Sequence, residues 1–232
     1  MKAKTRRKLE MGARALIFSR LHPDPSGSAG ALLARLENRL ARATQLARQQ
    51  REGILEVNQA TARKRHLQGT MRRAHLAHLR HVARMAERDL PELGQKFVLR
   101  RGTIPYRTFR TAARGMAAEA ESRKEVLMQH GLADTVLKSL TQALDEFDLA
   151  VRQGNRGRLI HVGASADLDR VADEVVLIVK AMDGPNRLRF THQSELLAAW
   201  ESASHVVAAP RSAPQAKGYG PLVTPGEEQR IA

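Results

Sequence analysis

The sequence predicts an all-α protein, an elongated antiparallel bundle in which two long helices pack in the manner of a coiled coil. The 232-residue chain is rich in Ala, Leu, Arg and Glu, which favour helices, and only 3% of it is aromatic. Residues 29–90 contain no proline. Apolar side chains recur along them every three or four positions, as they do on a helix that packs against another helix.

A first helix is predicted from about Lys4 to Arg20. Its expected apolar face consists of Leu9, Ala13, Leu16, Ile17 and Leu21. Residues 22–28 read His-Pro-Asp-Pro-Ser-Gly-Ser and end the helix, because two prolines and a glycine cannot continue it. We expect Ser28 to cap the second helix.

The second helix, residues 29–90, carries alternating four- and three-residue steps from Leu36 to Asp89. This register defines a seam with apolar ends and a polar waist. The waist consists of Gln50, Thr61, Lys64 and Gln68. The pattern leaves two alternatives, a continuous helix about 93 Å long or a break near Gly69. We expect continuity, because both interior glycines are isolated and no turn cluster is present.

Pro91 and Gly94 end that helix. A connector over residues 95–104 is expected to place Phe97, Val98 and Leu99 against the end of the bundle. A third helix then starts at Thr103 or Thr108, with Pro105 tolerated in its first turn. It ends near His130, where Gly131 suits the residue after a helix.

The fourth helix begins near Ala133 and keeps the same register to about Met182. The register passes through Gly154–Gly157 without losing phase, which favours a continuous helix over a hairpin at that point. Small residues there could make room for Gln50, Lys64 or Gln68 of the waist. We expect Asp183-Gly-Pro-Asn to stop this helix.

A last amphipathic helix is predicted from about His192 to Val207. Its expected buried residues are Leu196, Leu197, Trp200 and Val207. Residues 208–232 are rich in Pro, Gly and Ser without periodicity, which predicts a disordered tail. The domain organisation expected is therefore a bundle over residues 1–207 followed by that tail.

Three segments carry a resemblance to other sequences. They are Leu33-Ala-Arg-Leu-Glu-Asn-Arg-Leu-Ala-Arg-Ala, His161-Val-Gly-Ala-Ser-Ala-Asp-Leu-Asp and Glu195-Leu-Leu-Ala-Ala-Trp-Glu-Ser-Ala. In layout the chain resembles an uncharacterised group of bacterial all-helical hypothetical proteins, up to about residue 207. The resemblance implies the helical fold and implies no activity.

The charge is distributed unevenly. The formal net charge is +15, and residues 1–110 carry 25 Lys or Arg against 8 Asp or Glu. A field of this kind attracts polyanions such as nucleic acid or acidic membrane surfaces. The chain has no cysteine, which excludes disulfides and thiol chemistry. No apolar run approaches a membrane span or a signal sequence, so a cytoplasmic protein is expected.

A basic strip is the main candidate for a binding surface. At about 100° per residue, Arg73, Arg80, Arg84 and Arg88 lie on one side of the second helix, away from Met71, Val82 and Met85. The candidate nucleic-acid-binding residues are Arg63, Lys64, Arg73, Arg80, Arg84 and Arg88. The competing interpretation is an ordinary solvated helix face.

Two other constellations are weighed and set aside. His75, His78 and His81 recur every three residues, but each step rotates by about 60°, so all three cannot reach one metal ion. His161, Ser165 and Asp169 follow at four-residue spacing, but a regular helix offers no free amide for an oxyanion. We therefore predict no catalytic residue, no metal site and no cofactor.

The functional prediction follows from these exclusions. We expect a non-enzymatic helical structural or interaction protein that associates with itself or with a helical partner. The motive is the length of the second helix, which exceeds what the first or third helix could cover alone. Nucleic-acid binding by the basic half is the alternative, and an enzyme or a metal-binding bundle is the least supported reading.

Overall fold

The computed structural model describes residues 1–24, 30–100, 102 and 104–207, and it confirms the all-α fold. A π-helical segment, Met71–Leu76, joins α2 to α3 without interruption. The helices are α1 (Ala3–Leu21), α2 (Gly30–Thr70), α3 (Ala77–Ala86), α4 (Leu93–Lys96), α5 (Tyr106–Ser122), α6 (Lys124–Gln129), α7 (Asp134–Arg189) and α8 (Ser194–Ser204). Within the described ranges, no helix is both long and apolar enough to span a membrane.

Two long antiparallel helical stretches form the axis of the molecule. The first runs from Gly30 to Ala86 through the π segment, so the break considered at Gly69 does not occur. The second is α7, whose 56 residues pass through Gly154–Gly157 as a helix. Their antiparallel register is marked by cross-helix pairs between Arg39 and Glu174, Gln50 and Ser165, and Arg63 and Glu146.

The long helices approach most closely where glycine faces glycine. A Cβ atom built on Gly53 would lie 2.7 Å from the carbonyl oxygen of Gly157, and one built on Gly157 would lie 2.8 Å from that of Gly53. Both obstacles are backbone atoms, which cannot rotate away. The helices therefore touch through their backbones here, and only residues without side chains fit.

The polar waist lies next to this contact. Gln50 is only 7% exposed and donates a hydrogen bond from Nε2 to Ser165 Oγ at 2.7 Å. Lys64 faces Gly154, where an added Cβ would be 3.8 Å from its Nζ. The prediction that a small residue of α7 makes room for Lys64 therefore agrees with the packing. The buried side-chain amide of Gln50 has its hydrogen-bond partner on the other long helix.

The hydrophobic core consists of one large cluster at each end of the long pair and a small one of Ala43, Leu46, Leu168 and Val171 between the long helices. At one end α1 and α8 pack on α2 and α7 around Trp200, with Phe18 and Phe190 in ring contact. At the other end α3 to α6 pack on the start of α7 around Phe109 and Phe147. Neither cluster includes residues 53–60 or 154–161, where the long helices form a two-helix section.

The seam of the second helix differs from the predicted register. In its middle Gln50 is buried as expected, but the other buried positions are Leu46, Gly53, Ala60 and Leu67, each one residue earlier than expected. Ile54 is consequently 41% exposed. The reason is the close approach described above, because the small residues Gly53 and Ala60 let the backbones come together, whereas isoleucine at the centre of the contact would hold them apart.

The π segment shifts the register a second time. Its i→i+5 hydrogen bonding adds a residue to the turn, which turns later side chains back by up to about 100°. From the end of the π segment onward the buried residues are Leu76, Leu79, Val82, Ala83 and Ala86. The uniform register had instead placed His75, His78 and Met85 on the seam, and Met85 is 49% exposed.

Pro185 does not stop α7, contrary to the sequence prediction. The helix continues to Arg189, so the proline lies inside it. Tertiary contacts hold these last turns together. Trp200 Nε1 donates to Asp183 Oδ1 at 2.9 Å, and Arg187 bridges Asp183 and Glu201 at 2.8 and 2.9 Å. The lost backbone hydrogen bond is offset by interactions with α8 that sequence periodicity does not reveal.

Smaller differences also come from long-range packing. The buried face of α1 is centred on Met11, Ala15 and Phe18, because Phe18 packs against Trp200 of α8. Of the predicted residues, Leu9 and Leu16 pack partly buried beside it, whereas Ala13, Ile17 and Leu21 are exposed. The third helix is divided at Arg123 into α5 and α6. Four further expectations concern exposed or undescribed parts: Val98 and Val207 are exposed, and Ser28 and the tail 208–232 lie outside the described residues.

Alanine substitutions at two glycines of α7 test the close contact. We expect Gly157→Ala to lower the free energy of unfolding, because the new Cβ must push two backbones apart, and overpacking typically costs about 1–3 kcal/mol. Gly163→Ala is the matched control. It lies in the same helix with nothing within 4 Å of its added Cβ, and removing an interior glycine typically gains about 1 kcal/mol.

Chemical denaturation of the three proteins checks this prediction. The midpoint should fall for Gly157→Ala and rise for Gly163→Ala relative to the parent. Equal increases at both positions would show that the two backbones are not in contact at Gly157.

A candidate basic groove

A groove of about 550 Å³ lies beside the π segment and α3, at the end of the rod opposite α8. Its second wall is the segment that follows α4. The lining residues are Arg72, Leu76, Ala77, Arg80, His81, Arg84, Phe97, Leu99 and Arg100. Four arginines and a histidine thus surround a small apolar floor, and no acidic residue is among them.

The π segment places one wall of the groove. Arg72, Leu76, Arg80 and Arg84 follow one another at four-residue intervals and line the same wall. Residues at this interval lie one above another on a helix. Because the π turn falls within this row, Arg72 rather than Arg73 lines the groove.

Arg72 also holds the opposite wall in place. Its Nη1 donates to the carbonyl oxygen of Gly102 and its Nη2 to that of Arg100, both at 2.9 Å. Hydrogen bonds from a charged donor are among the stronger ones in proteins. Arg72 therefore ties the segment around Arg100 to the π segment, and this defines the width of the groove.

The floor of the groove belongs to the hydrophobic core. Phe97 is 1% exposed and packs in the same cluster as Leu76 and Phe109. Gly94 of α4 lies against the exposed side chain of Glu87, which follows α3. The apolar core thus holds the chain on both sides of the groove. The backbone that carries the groove arginines is therefore rigid.

The groove residues Arg80 and Arg84 differ electrostatically from the ion-paired arginines of α5. Arg114, on α5, donates to Asp145 and Asp148 at 2.8 and 2.6 Å, and these hydrogen bonds raise its pKa. Arg80 and Arg84 are exposed and form no ion pair with any described residue. Their charge is therefore available to a ligand.

The six sequence-predicted residues fall into three groups. Arg80 and Arg84 line the groove, whereas Arg73 and Arg88 are exposed outside its lining. Arg63 forms an ion pair with Glu146 of α7. The remaining residue, Lys64, is half-buried with its ammonium 5.1 Å from the centre of the Tyr106 ring.

Sequence reasoning missed half of the groove. Arg72 was not predicted because a uniform α-helix turns it away from Arg80, and the π segment has no clear sequence signal. Phe97, Leu99 and Arg100 come from a different part of the chain. A usable sequence signal was that the wall residues Arg72 and Arg100 each belong to a pair of adjacent arginines.

A second polar cavity of about 600 Å³ contains His161, Ser165 and Asp169. Ser165 Oγ donates to the carbonyl oxygen of His161 at 2.7 Å and accepts from Gln50. Hydrogen bonds from Lys2 and Thr5 lower the pKa of Asp169. The hydroxyl proton of Ser165 is thus already engaged with its own helix, and the three residues do not form the relay that nucleophilic catalysis needs.

The histidines of the second helix do not converge on one point. His81 lines the basic groove. His75, in the π segment, and His78, in α3, are half-buried and are not part of the groove lining. Across the described part of the chain, no three His, Asp or Glu side chains are grouped closely enough to bind one metal ion.

Comparisons with known proteins identify no relatives. No family model, no curated protein and no solved structure matches the chain.

Limited proteolysis tests the role of Arg72. We expect Arg72→Gln to speed trypsin cleavage after Arg100 by about tenfold or more, because one lost charged hydrogen bond is typically worth about 1.5–3 kcal/mol and about 1.4 kcal/mol is tenfold. Arg73→Gln is the control, since Arg73 is exposed and lines no part of the groove. Equal cleavage rates in the two variants would show that Arg72 does not hold the segment around Arg100 against the π segment.

Proposed function

We propose that the protein binds nucleic acid as a polyanion, with the basic groove as the main contact surface. The observation that carries the proposal is a lining with four arginines and no acidic residue. Unpaired guanidinium groups close together repel one another, so an arrangement of this kind stabilises the fold poorly. It suits a ligand that supplies several negative charges at once.

Phosphate is the anion that fits these side chains best. The guanidinium group is planar, remains charged at all physiological pH values and forms paired hydrogen bonds with phosphate oxygens. Nucleic acids present such groups in a dense row. Exposed Arg73 in the π segment and exposed Arg88 in the turn after α3 flank Arg80 and Arg84 in sequence and would extend the contact.

The charge of the whole first half supports the same conclusion. Residues 111–232 carry 14 Lys or Arg and 16 Asp or Glu, so the positive excess lies entirely in residues 1–110. That half contains α2, the π segment and α3. Such an asymmetric field would steer a polyanion toward the groove and speed its association.

Charge reversal in the groove tests the proposal. We expect Arg80→Glu with Arg84→Glu to weaken binding of a labelled mixed-sequence nucleic acid at least tenfold in fluorescence anisotropy. Arg152→Glu with Arg156→Glu is the matched control, because both are exposed arginines four residues apart on α7. With four phosphate contacts, affinity should fall about a hundredfold between 50 and 200 mM salt.

Two results would refute the groove as the binding surface. One is the absence of binding at 50 mM salt. The other is an equal loss in the control variant, which would indicate a diffuse effect of net charge. Circular dichroism establishes that both double variants keep their helices.

Association with a helical partner or a second copy is a second candidate. The specific observation is that Leu159 is 76% exposed and Leu55 is 52% exposed on the two-helix section. Large apolar side chains in a section without a third helix would suit docking of another helix. The length of the second helix gives this candidate little support, because α7 runs beside that helix along its length.

Sedimentation velocity measures this second candidate directly. Self-association predicts a dimer at micromolar concentration that Leu159→Glu converts to a monomer, because a buried carboxylate in the interface is costly. A parent protein that stays monomeric in that range would argue against self-association.

A further inference from the structure

We infer that the nucleic acid bound in the groove is double-stranded and is recognised through its phosphate backbone without reading of bases. This inference rests on the proposed function. It is carried by the burial of the aromatic residues, the rigidity of the helix that bears the arginines and the absence of Asn and Gln from residues 72–88.

The described part of the surface offers no aromatic platform for unpaired bases. Proteins that bind single strands without sequence preference stack successive bases on exposed rings. Six of the seven aromatic residues within the described ranges are at most 7% exposed: Phe18, Phe97, Phe109, Phe147, Phe190 and Trp200. The seventh, Tyr106, is half-buried and has Lys64 over its ring. Phe97 lies in the floor of the groove, but its ring is covered by the core.

The groove arginines of this helical stretch lie on one wall. Arg80 and Arg84 are one helical turn apart, about 6 Å along the axis, and Arg72 to Arg84 span about 18 Å. This helical stretch packs on Phe97 and Phe109, so the row cannot follow a flexible strand. A duplex is itself stiff and presents its phosphates in regular rows. Two rigid arrays can match without an ordering cost, whereas a single strand would lose conformational freedom on binding.

The row has few means to read a base. Residues 72–88 contain no Asn or Gln, the side chains that pair with adenine edges in the major groove. Both terminal nitrogens of Arg72 are already bonded to carbonyl oxygens, so it positions the opposite wall and does not read sequence. Among the exposed neighbours of Arg80 and Arg84, Ala77 and Met85 cannot donate hydrogen bonds, so only the arginines and His81 could donate to a base edge. Backbone contacts position a protein on a duplex and carry no sequence information.

Competition between duplex and single strand tests this inference on the full-length chain. The probes are a 24-base-pair DNA duplex, an RNA duplex of the same sequence and a deoxythymidine 24-mer, all at one salt concentration. We expect a duplex to bind at least ten times more tightly than the single strand, and the better of the two duplexes identifies the natural class. Equal or tighter binding of the single strand overturns the inference while leaving the proposed function in place. Loss of binding to every probe overturns both.

Salt dependence and base composition complete the test. Arg80→Gln with Arg84→Gln should reduce the slope of log affinity against log salt for the duplex by about 2, at about 0.9 per phosphate contact. Arg152→Gln with Arg156→Gln should leave that slope unchanged. An A·T-only and a G·C-only duplex should bind within about threefold of each other. A protein that read bases would separate the two by more, because one good base contact discriminates by about 1–3 kcal/mol. A tenfold preference for either would overturn backbone recognition.

Discussion

The backbone contact between Gly53 and Gly157 is the constraint on which the rest of the structure depends. It lies in the two-helix section, where neither end cluster contributes buried side chains. With little apolar area available there, the helices gain stability by close van der Waals approach, which glycine permits. The contact also sets the register of the long pair, because glycine must oppose glycine. Both end clusters are built on helices whose relative position is determined at this point.

The π segment joins this packing to the groove. The middle of the second helix presents small residues to α7, while its final third must bury larger ones under α4 to α6. One additional residue in the turn at Met71–Leu76 rotates the helix between these two requirements. The same rotation brings Arg72 into line with Arg80 and Arg84 and directs its guanidinium to the carbonyl oxygens of the opposite wall. Packing and the placement of charge thus have a common local cause.

The distribution of ion pairs separates structural arginines from available ones. Arg63 and Arg114 lie where α7 supplies carboxylates, and their charges help to hold neighbouring helices together. Exposed ion pairs of this kind contribute little each, typically below about 1 kcal/mol. Arg80 and Arg84 stand on the face that no acidic helix covers. Their positive field is uncompensated by described neighbours, and this is the physical basis for proposing a polyanionic ligand.

The sequence by itself determined the helices, their antiparallel order and the exposed basic face, because periodicity and breakers act over a few residues at a time. The continuity of α7 followed from unbroken phase, and Arg80 and Arg84 followed from helical geometry. Only the tertiary structure decided that Pro185 lies inside a helix, because Trp200 and Arg187 stabilise its last turns from α8. It also decided the groove, since Arg100 meets the π segment only after α4 has packed. Contacts between distant parts of the chain leave no period in the sequence.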